Sequence, residues 1–186
     1  MRYNYHKIIL EIIKKEIRNG DKIIEIGGAR GYLIKELEKT QKNKYYYTDI
    51  IKRKDKRFIL DNIEHSKIKN KQYDIVFSEG LIEHTNIEKS IREMCRISKR
   101  TVIIFFPNGL NIFYNIEKWI ERMNGRFWIG ADEYGFEQNI NPFKIIKIMI
   151  QEKYKTELVG INSLKRDLIM PQYLKSNVCI IGRIVQ

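Results

Sequence analysis

The sequence predicts an α/β fold, an open and mostly parallel sheet with helices on both of its faces, and three observations carry that prediction. Short apolar runs alternate with amphipathic stretches up to Phe106, and parallel neighbours need a long crossover, which a helix supplies. The runs end at or near polar or glycine positions, and ligands on such sheets bind at the carboxyl ends of the strands. The length of 186 residues, 43% of them hydrophobic, suits one core and a single domain spanning 1–186.

Taken in order, Ile8, Ile9, Ile12, Ile13 and Ile17 recur every three or four residues with Lys and Glu between them, an amphipathic helix that covers a sheet and stops at Gly20. Ile23, Ile24 and Ile26 form an apolar strand that meets a glycine turn, and Tyr32, Leu33, Ile34 and Leu37 follow at helical period. Tyr45–Ile50, Arg57–Leu60 and Tyr73–Ser78 read as strands, Ile87–Ile97 as a helix, and Thr101–Phe106 as an apolar strand closed by Pro107 and Asn108. The rhythm then changes. Asn111–Met123 is helical and rich in Ile, Phe and Trp, and Gly125–Pro142 is aromatic and turn-rich, so 108–142 is expected to be an insertion that covers the substrate. Trp119, Trp128, Tyr134 and Phe136 either wall a substrate pocket there or are ordinary packing. A helix from Phe143 to about Lys153 and strands at Thr156–Ile161 and Asn177–Val185 complete the alternation.

The strongest local signal is EIGGARG, Glu25–Gly31, between an apolar strand and an amphipathic helix. Gly27 and Gly31 let the backbone turn tightly and let a ligand approach without a side chain in the way. A nicotinamide dinucleotide loop, G-x-G-x-x-G from Gly27, would put Ala29 and Tyr32 at its second and third glycines, and that reading fails at both. With an acidic residue two places before the first glycine, the G-x-x-x-G spacing instead resembles the first motif of class I S-adenosylmethionine-dependent methyltransferases. The resemblance runs in order over roughly residues 20–106, and YDIVFSEGLIEHTNIEKSIREMCRISK, from Tyr73 to Lys99, is similar to the type 11 and ubiquinone-biosynthesis-type members, with Glu83, His84, Glu93 and Arg96 matching individually.

This resemblance implies a Rossmann-like sandwich with a mostly parallel seven-stranded sheet, S-adenosylmethionine as cofactor, S-adenosylhomocysteine as product and a methyl-transfer activity. It assigns the cofactor to Glu25, Gly27, Gly28, Ala29 and Gly31, to Asp49 with Ile50 at the ribose, to Asp61 and Asn62 at the adenine, and to Ser78 and Glu79. Glu25 is expected near the ammonium of the cofactor's methionine part. A carboxylate such as Asp49 suits two hydroxyl protons because it accepts only. Glu83 and His84 are the catalytic candidates: an imidazole with an ordinary pKa of about 6.5 suits proton removal near neutrality, although a structural hydrogen-bonding pair at a helix start is the alternative. The sequence departs from the family pattern where Ala29 replaces the second glycine, where Ser98, Lys99 and Arg100 replace a double glycine before the fifth strand, and where Gly80 replaces the first glutamate of a metal-binding E-x-x-E-H, so no metal is expected.

The acceptor is expected to be a small molecule, lipid or quinone-like compound. SEGL, Ser78–Leu81, stands where exocyclic-amine methylases of nucleic-acid bases carry D/N-P-P-Y/F/W, no Pro-Cys nucleophile follows, and no K-D-K-E set of ribose methyltransferases is apparent. Three other readings stay open. The charge of +12, from 35 Lys and Arg against 23 Asp and Glu, suits an RNA partner, but the cations are widely spread and the wealth of Ile, Lys, Asn and Tyr is what an AT-rich genome imposes. A catalytically inactive binding or regulatory protein on the same fold is the second. Peripheral membrane contact is the third, because GLNIFYNIEKWIERM and PFKIIKIMIQEKYK combine apolar faces with cations. Cys95 and Cys179 lack metal-ligand spacing, no apolar run reaches the ~18 residues of a spanning helix, and the N-terminus lacks a signal-peptide core, all of which suits a reducing cytoplasm. His6 and His65 are expected at the surface.

Overall fold

The computed structural model describes residues 2–123, 138–161 and 170–185. Its strands are β1 (Lys22–Ile26), β2 (Lys44–Asp49), β3 (Phe58–Leu60), β4 (Tyr73–Glu79), β5 (Ser98–Pro107), β6 (Tyr154–Ile161) and β7 (Asn177–Ile184). The helices are α1 (Arg2–Glu16), α2 (Tyr32–Glu38), α3 (Ile87–Ile97), α4 (Ile112–Met123) and α5 (Pro142–Gln151). The strands form one seven-stranded sheet in the order β3-β2-β1-β4-β5-β7-β6. Pairing is parallel from β3 to β5, and β7 runs antiparallel to both β5 and β6.

The period of two along the strands divides the core into two layers. Val102, Ile104 and Phe106 of β5 point to one face, where Ile91 and Met94 of α3 and Ile145 and Met149 of α5 cover them. Ile103 and Phe105 point to the other, beneath Ile9 and Ile13 of α1 and Ile34 and Leu37 of α2. A strand covered on both faces needs an unbroken apolar run, which TVIIFF supplies. Arg183 and Arg100 hold the end of α1 at the amino edge of the sheet, Arg183 pairing with Glu16 at 2.5 Å and Arg100 donating to the Glu16 carbonyl at 3.0 Å while it pairs with Asp21, just before β1, at 2.6 Å. Both cysteines are buried free thiols.

β5 begins three residues earlier than its apolar run. Ser98, Lys99 and Arg100 are strand residues, Ser98 following α3 directly in an extended conformation (φ −78°, ψ 135°). No left-handed turn occurs there, and so no glycine pair is needed. The segment 124–137, with Trp128, Tyr134 and Phe136, lies outside the described residues. What precedes and follows it is anchored at the carboxyl edge of the sheet: Gly109 N–H donates to the Ile140 carbonyl at 2.9 Å, and Gln138 N–H donates to the Glu83 carbonyl at 2.9 Å.

Candidate active site

The carboxyl ends of β1, β2 and β4 open into a cleft of about 800 Å³. Its floor is the turn between β1 and α2. Gly31 sits there in the left-handed region (φ 65°), and a Cβ on it would stand 2.7 Å from the Tyr47 ring, so the helix can start only where no side chain exists. Gly28 leaves room of a different kind, because a Cβ there would lie 2.9 Å from the Glu25 carboxyl group. The turn is tied to β2 by Gly28 N–H donating to the Thr48 carbonyl at 2.8 Å.

Ala29, the residue in place of the second glycine, is also left-handed (φ 46°), a conformation that costs a non-glycine residue about 1–2 kcal/mol. It is held from both sides: its N–H donates to Asp49 Oδ2 at 3.0 Å, and its carbonyl accepts from Arg53 Nε at 3.1 Å. The other Asp49 oxygen accepts from Ile51 N–H at 2.8 Å. A carboxylate offers about four lone-pair positions, so the buried Asp49 keeps acceptor capacity toward the cleft it lines.

Glu25, the fourth residue of β1, is buried, and its Oε2 has no hydrogen-bond partner in the structure. Burial first, and the nearby Glu79 carboxyl second, push the Glu25 carboxyl up to about 8, against a smaller opposite pull from the Ile34 backbone N–H. Burial raises Glu79 as well, offset in part by His6 and by the hydroxyl of Tyr5, which hydrogen-bonds to it. Tyr5 is itself raised well above its ordinary value, by burial and then by the carboxylates of Glu79 and Glu83. The N-terminal part of α1 therefore closes the β4 end of the cleft, with His6 lying 5.4 Å from the Tyr32 ring.

Most of the residues expected at a site come together here. Glu25, Gly27, Gly28, Ala29, Asp49, Ile50, Asp61, Asn62, Glu79 and His84 line the cleft. Gly31 shapes the turn beneath it, the fully buried Ser78 lies inside β4, and Glu83 is buried on the 3-10 turn Ile82–His84 without reaching the lining. Asp61 Oδ1 accepts from Lys67 N–H at 3.0 Å while its buried Oδ2 has no partner, and Asn62 caps the next turn through Glu64 N–H at 2.9 Å. His65 is exposed, as expected, but His6 lines the cleft, as do Arg53, Leu81 and Thr85. Arg53 belongs to a charge run that reads as a solvated face, and nothing in its spacing distinguishes the one cation that folds back on the turn. Among the described residues, no group of three His, Cys, Asp or Glu side chains is placed to share a metal ion.

Residues 24–106 match the family described as a methyltransferase domain. An uncharacterized protein of Methanocaldococcus jannaschii, MJ1252, is 33% identical over 59% of this chain, and the alignment spans 44% of that relative, less than half its length. A Thermotoga maritima protein, described as an S-adenosylmethionine-dependent methyltransferase and possible histamine N-methyltransferase, superposes with a TM-score of 0.72 at 14% identity over 96% of this chain and 88% of its own. The magnesium protoporphyrin IX methyltransferase of Synechocystis PCC 6803, solved with bound S-adenosylhomocysteine, superposes with a TM-score of 0.65 at 12% identity over 98% and 82%. At such identities, the structural likenesses establish the fold.

Proposed function

We propose that the chain is a class I S-adenosylmethionine-dependent methyltransferase, as its match to a methyltransferase domain over residues 24–106 and its strand order support, and that it transfers a methyl group from S-adenosylmethionine to a small-molecule, lipid or quinone-like acceptor. The observation that carries this reading is a set of three carboxyl groups on the cleft: the partnerless Glu25 Oε2 stands against Gly28, with Asp49 and the partnerless Asp61 Oδ2 also lining it. A cationic ammonium, two ribose hydroxyls and an exocyclic amine are donors that suit three such groups in turn. Glu25 would take the ammonium, Asp49 the ribose, Asp61 and Asn62 the adenine, and the side-chain-free surface of Gly27 and Gly28 the close approach.

When bound, the cofactor supplies a methyl group on a positively charged sulfur with a neutral leaving group, so catalysis needs positioning more than covalent help. The chain's part is to hold the acceptor in line and to exclude water. His84, on the lining near the end of β4, is the group to take a proton from an acceptor that must lose one. Buried behind it, Glu83 would steady the turn that carries it, and 108–142 would cover the acceptor.

Calorimetric titration with S-adenosylhomocysteine tests this, with NAD as control and thermal denaturation to verify folding. Micromolar binding that weakens at least ~10-fold in Asp49→Ala, a loss of two charge-assisted contacts, supports the assignment. Absence of heat and of thermal stabilisation would sink it in favour of an inactive protein on the same fold.

A further inference from the structure

We infer that the edge of the sheet carrying the cleft docks on an anionic lipid bilayer. Helix α4, which follows β5 at that edge, is built inside out. Asn111 and Tyr114 are buried, Asn111 accepting from Tyr114 N–H at 2.7 Å and donating to the Leu174 carbonyl at 2.6 Å. The outward side carries Ile112, Phe113, Ile116, Trp119 and Ile120, each 46–66% exposed. At ~100° per residue these five fall within an arc of about 120°, so the solvent side of the helix is a continuous apolar stripe.

A second exposed set, Ile50, Ile51 and Leu60 at 38–64%, stands where β2 and β3 end. The strand order puts the two sets on opposite sides of the cleft, β2 and β3 to one side of β1 and β4, and β5 to the other. Of the large hydrophobic residues exposed among the described residues, Ile150 and Val185 alone belong to the opposite edge, at the end of α5 and beyond β7. Scattered exposed hydrophobics need no explanation; a set gathered at one end of a molecule does.

Charge selects the occupant. Lys52, Lys54 and Lys56 are exposed directly after Ile50 and Ile51, and the one acidic residue among them, Asp55, is held by Arg57 at 3.0 Å. The whole chain carries +12. Aliphatic side chains followed directly by lysines match a surface whose headgroups are anionic and whose interior is apolar. RNA would satisfy the lysines and leave the isoleucines in water, while a two-fold dimer through this edge would gather both copies' lysines in one interface. Docked this way, the cleft mouth faces the bilayer. The corollary that a lipid-soluble acceptor enters from the membrane rests on the methyl-transfer reading; the docking itself does not.

The test is sedimentation of the full 186-residue chain with vesicles of equimolar phosphatidylserine and phosphatidylcholine, and with phosphatidylcholine alone. Expected are binding to the anionic vesicles that weakens with salt, a blue shift of tryptophan fluorescence that Trp119→Phe removes, and a loss of at least ~10-fold in partitioning for Ile116→Ser with Trp119→Ser. That double variant should still bind S-adenosylhomocysteine, which certifies its fold. No sedimentation with anionic vesicles, or unchanged partitioning of the double variant, overturns the proposal. So does a dimer that the double variant dissolves, or loss of vesicle binding to equimolar polyuridylate. Vesicle binding without S-adenosylhomocysteine binding would remove the methyl-transfer reading and leave the docking surface standing.

Discussion

On the β1–β2 flank of the cleft the backbone is strapped to its neighbours at successive residues, whereas on the β5 flank the helix after the strand is fastened at its first turn and presents apolar side chains outward. Gly27, Gly28 and Ala29 each donate to β2 through Thr48 or Asp49. On the other side, Asn108 and Asn111 reach the carbonyls of Tyr173, Lys175 and Leu174, and farther along the helix Ile116, Trp119 and Ile120 turn to solvent. The first flank is preorganised for a fixed ligand; the second is a surface that gains by being covered. One sheet edge thus combines a rigid half, suited to a ligand of fixed shape, with a half whose apolar surface is left uncovered.

The largest expected effect tests how rigid the first flank is without ligand. The folded Glu25 carboxyl titrates near 8, above its ordinary value of 4.5. Between those two values the folded state holds a proton that the unfolded chain has lost, so stability falls as pH rises through the window, with a limiting slope of about 1.4 kcal/mol per pH unit. Urea denaturation at pH 5 to 8 should show a steeper loss in the wild type than in Glu25→Gln, and parallel curves would contradict the burial argument. The same proton gives a binding signature. At pH 7 the ammonium of S-adenosylhomocysteine should expel it, so the calorimetric enthalpy should depend on the buffer's ionisation heat in the wild type and not in Glu25→Gln.

Next in size is Gly31→Ala. The added methyl lands 2.7 Å from the Tyr47 ring at a left-handed φ, and strain plus overpacking together should cost about 2–4 kcal/mol. Cofactor binding should fail with it, because the ring it displaces stands on β2 beside Thr48 and Asp49. A matching cut on the second flank is smaller and should leave the cofactor alone. Asn111→Ala removes the acceptor for Tyr114 N–H and the donor to Leu174, for a loss of about 1–2 kcal/mol with S-adenosylhomocysteine affinity unchanged. A parallel loss of affinity would mean that the flanks are coupled.

The two flanks also differ in how far they could be read from residues alone. EIGGARG and Asp49 were legible because strand, turn and helix are local, and parallel pairing of β1 with β2 brings the two strand ends together. The helix at α4 was legible too, but its orientation was not, since a stripe of apolar residues at helical period looks the same whether it faces a core or solvent. The sign lay in the small polar residues: Asn111 and Asn115 lie outside the stripe, and Asn115 donates to the Gly109 carbonyl at 2.9 Å. His6 escaped for a related reason. Periodicity assigns α1 its buried face through Ile9 and Ile13, yet says nothing of which end of the sheet its first turn overhangs. Ser98–Arg100 misled because the expected glycine pair belongs to a turn that this chain does not make.

The smallest effect bears on the residue where the rigid flank departs from the glycine motif it resembles. Ala29 holds φ 46° while both its N–H and its carbonyl are engaged, so the hydrogen bonds of Asp49 and Arg53 offset a conformation that alanine disfavours. Ala29→Gly keeps both bonds, since they involve backbone atoms, and relieves the strain. It also gives the unfolded chain more freedom, which subtracts about 0.4–1 kcal/mol from the gain. The net should be a stabilisation of about 0.5–1 kcal/mol, seen as a Tm higher by about 1–4 °C for a chain of this size. If Ala29→Gly instead lowers the Tm, the alanine is not strained in this chain, and the strapping by Asp49 and Arg53 does not offset any cost. If it leaves the Tm higher and also tightens S-adenosylhomocysteine binding, the methyl group itself crowds the ligand, and the residue in place of the second glycine limits the approach to the turn.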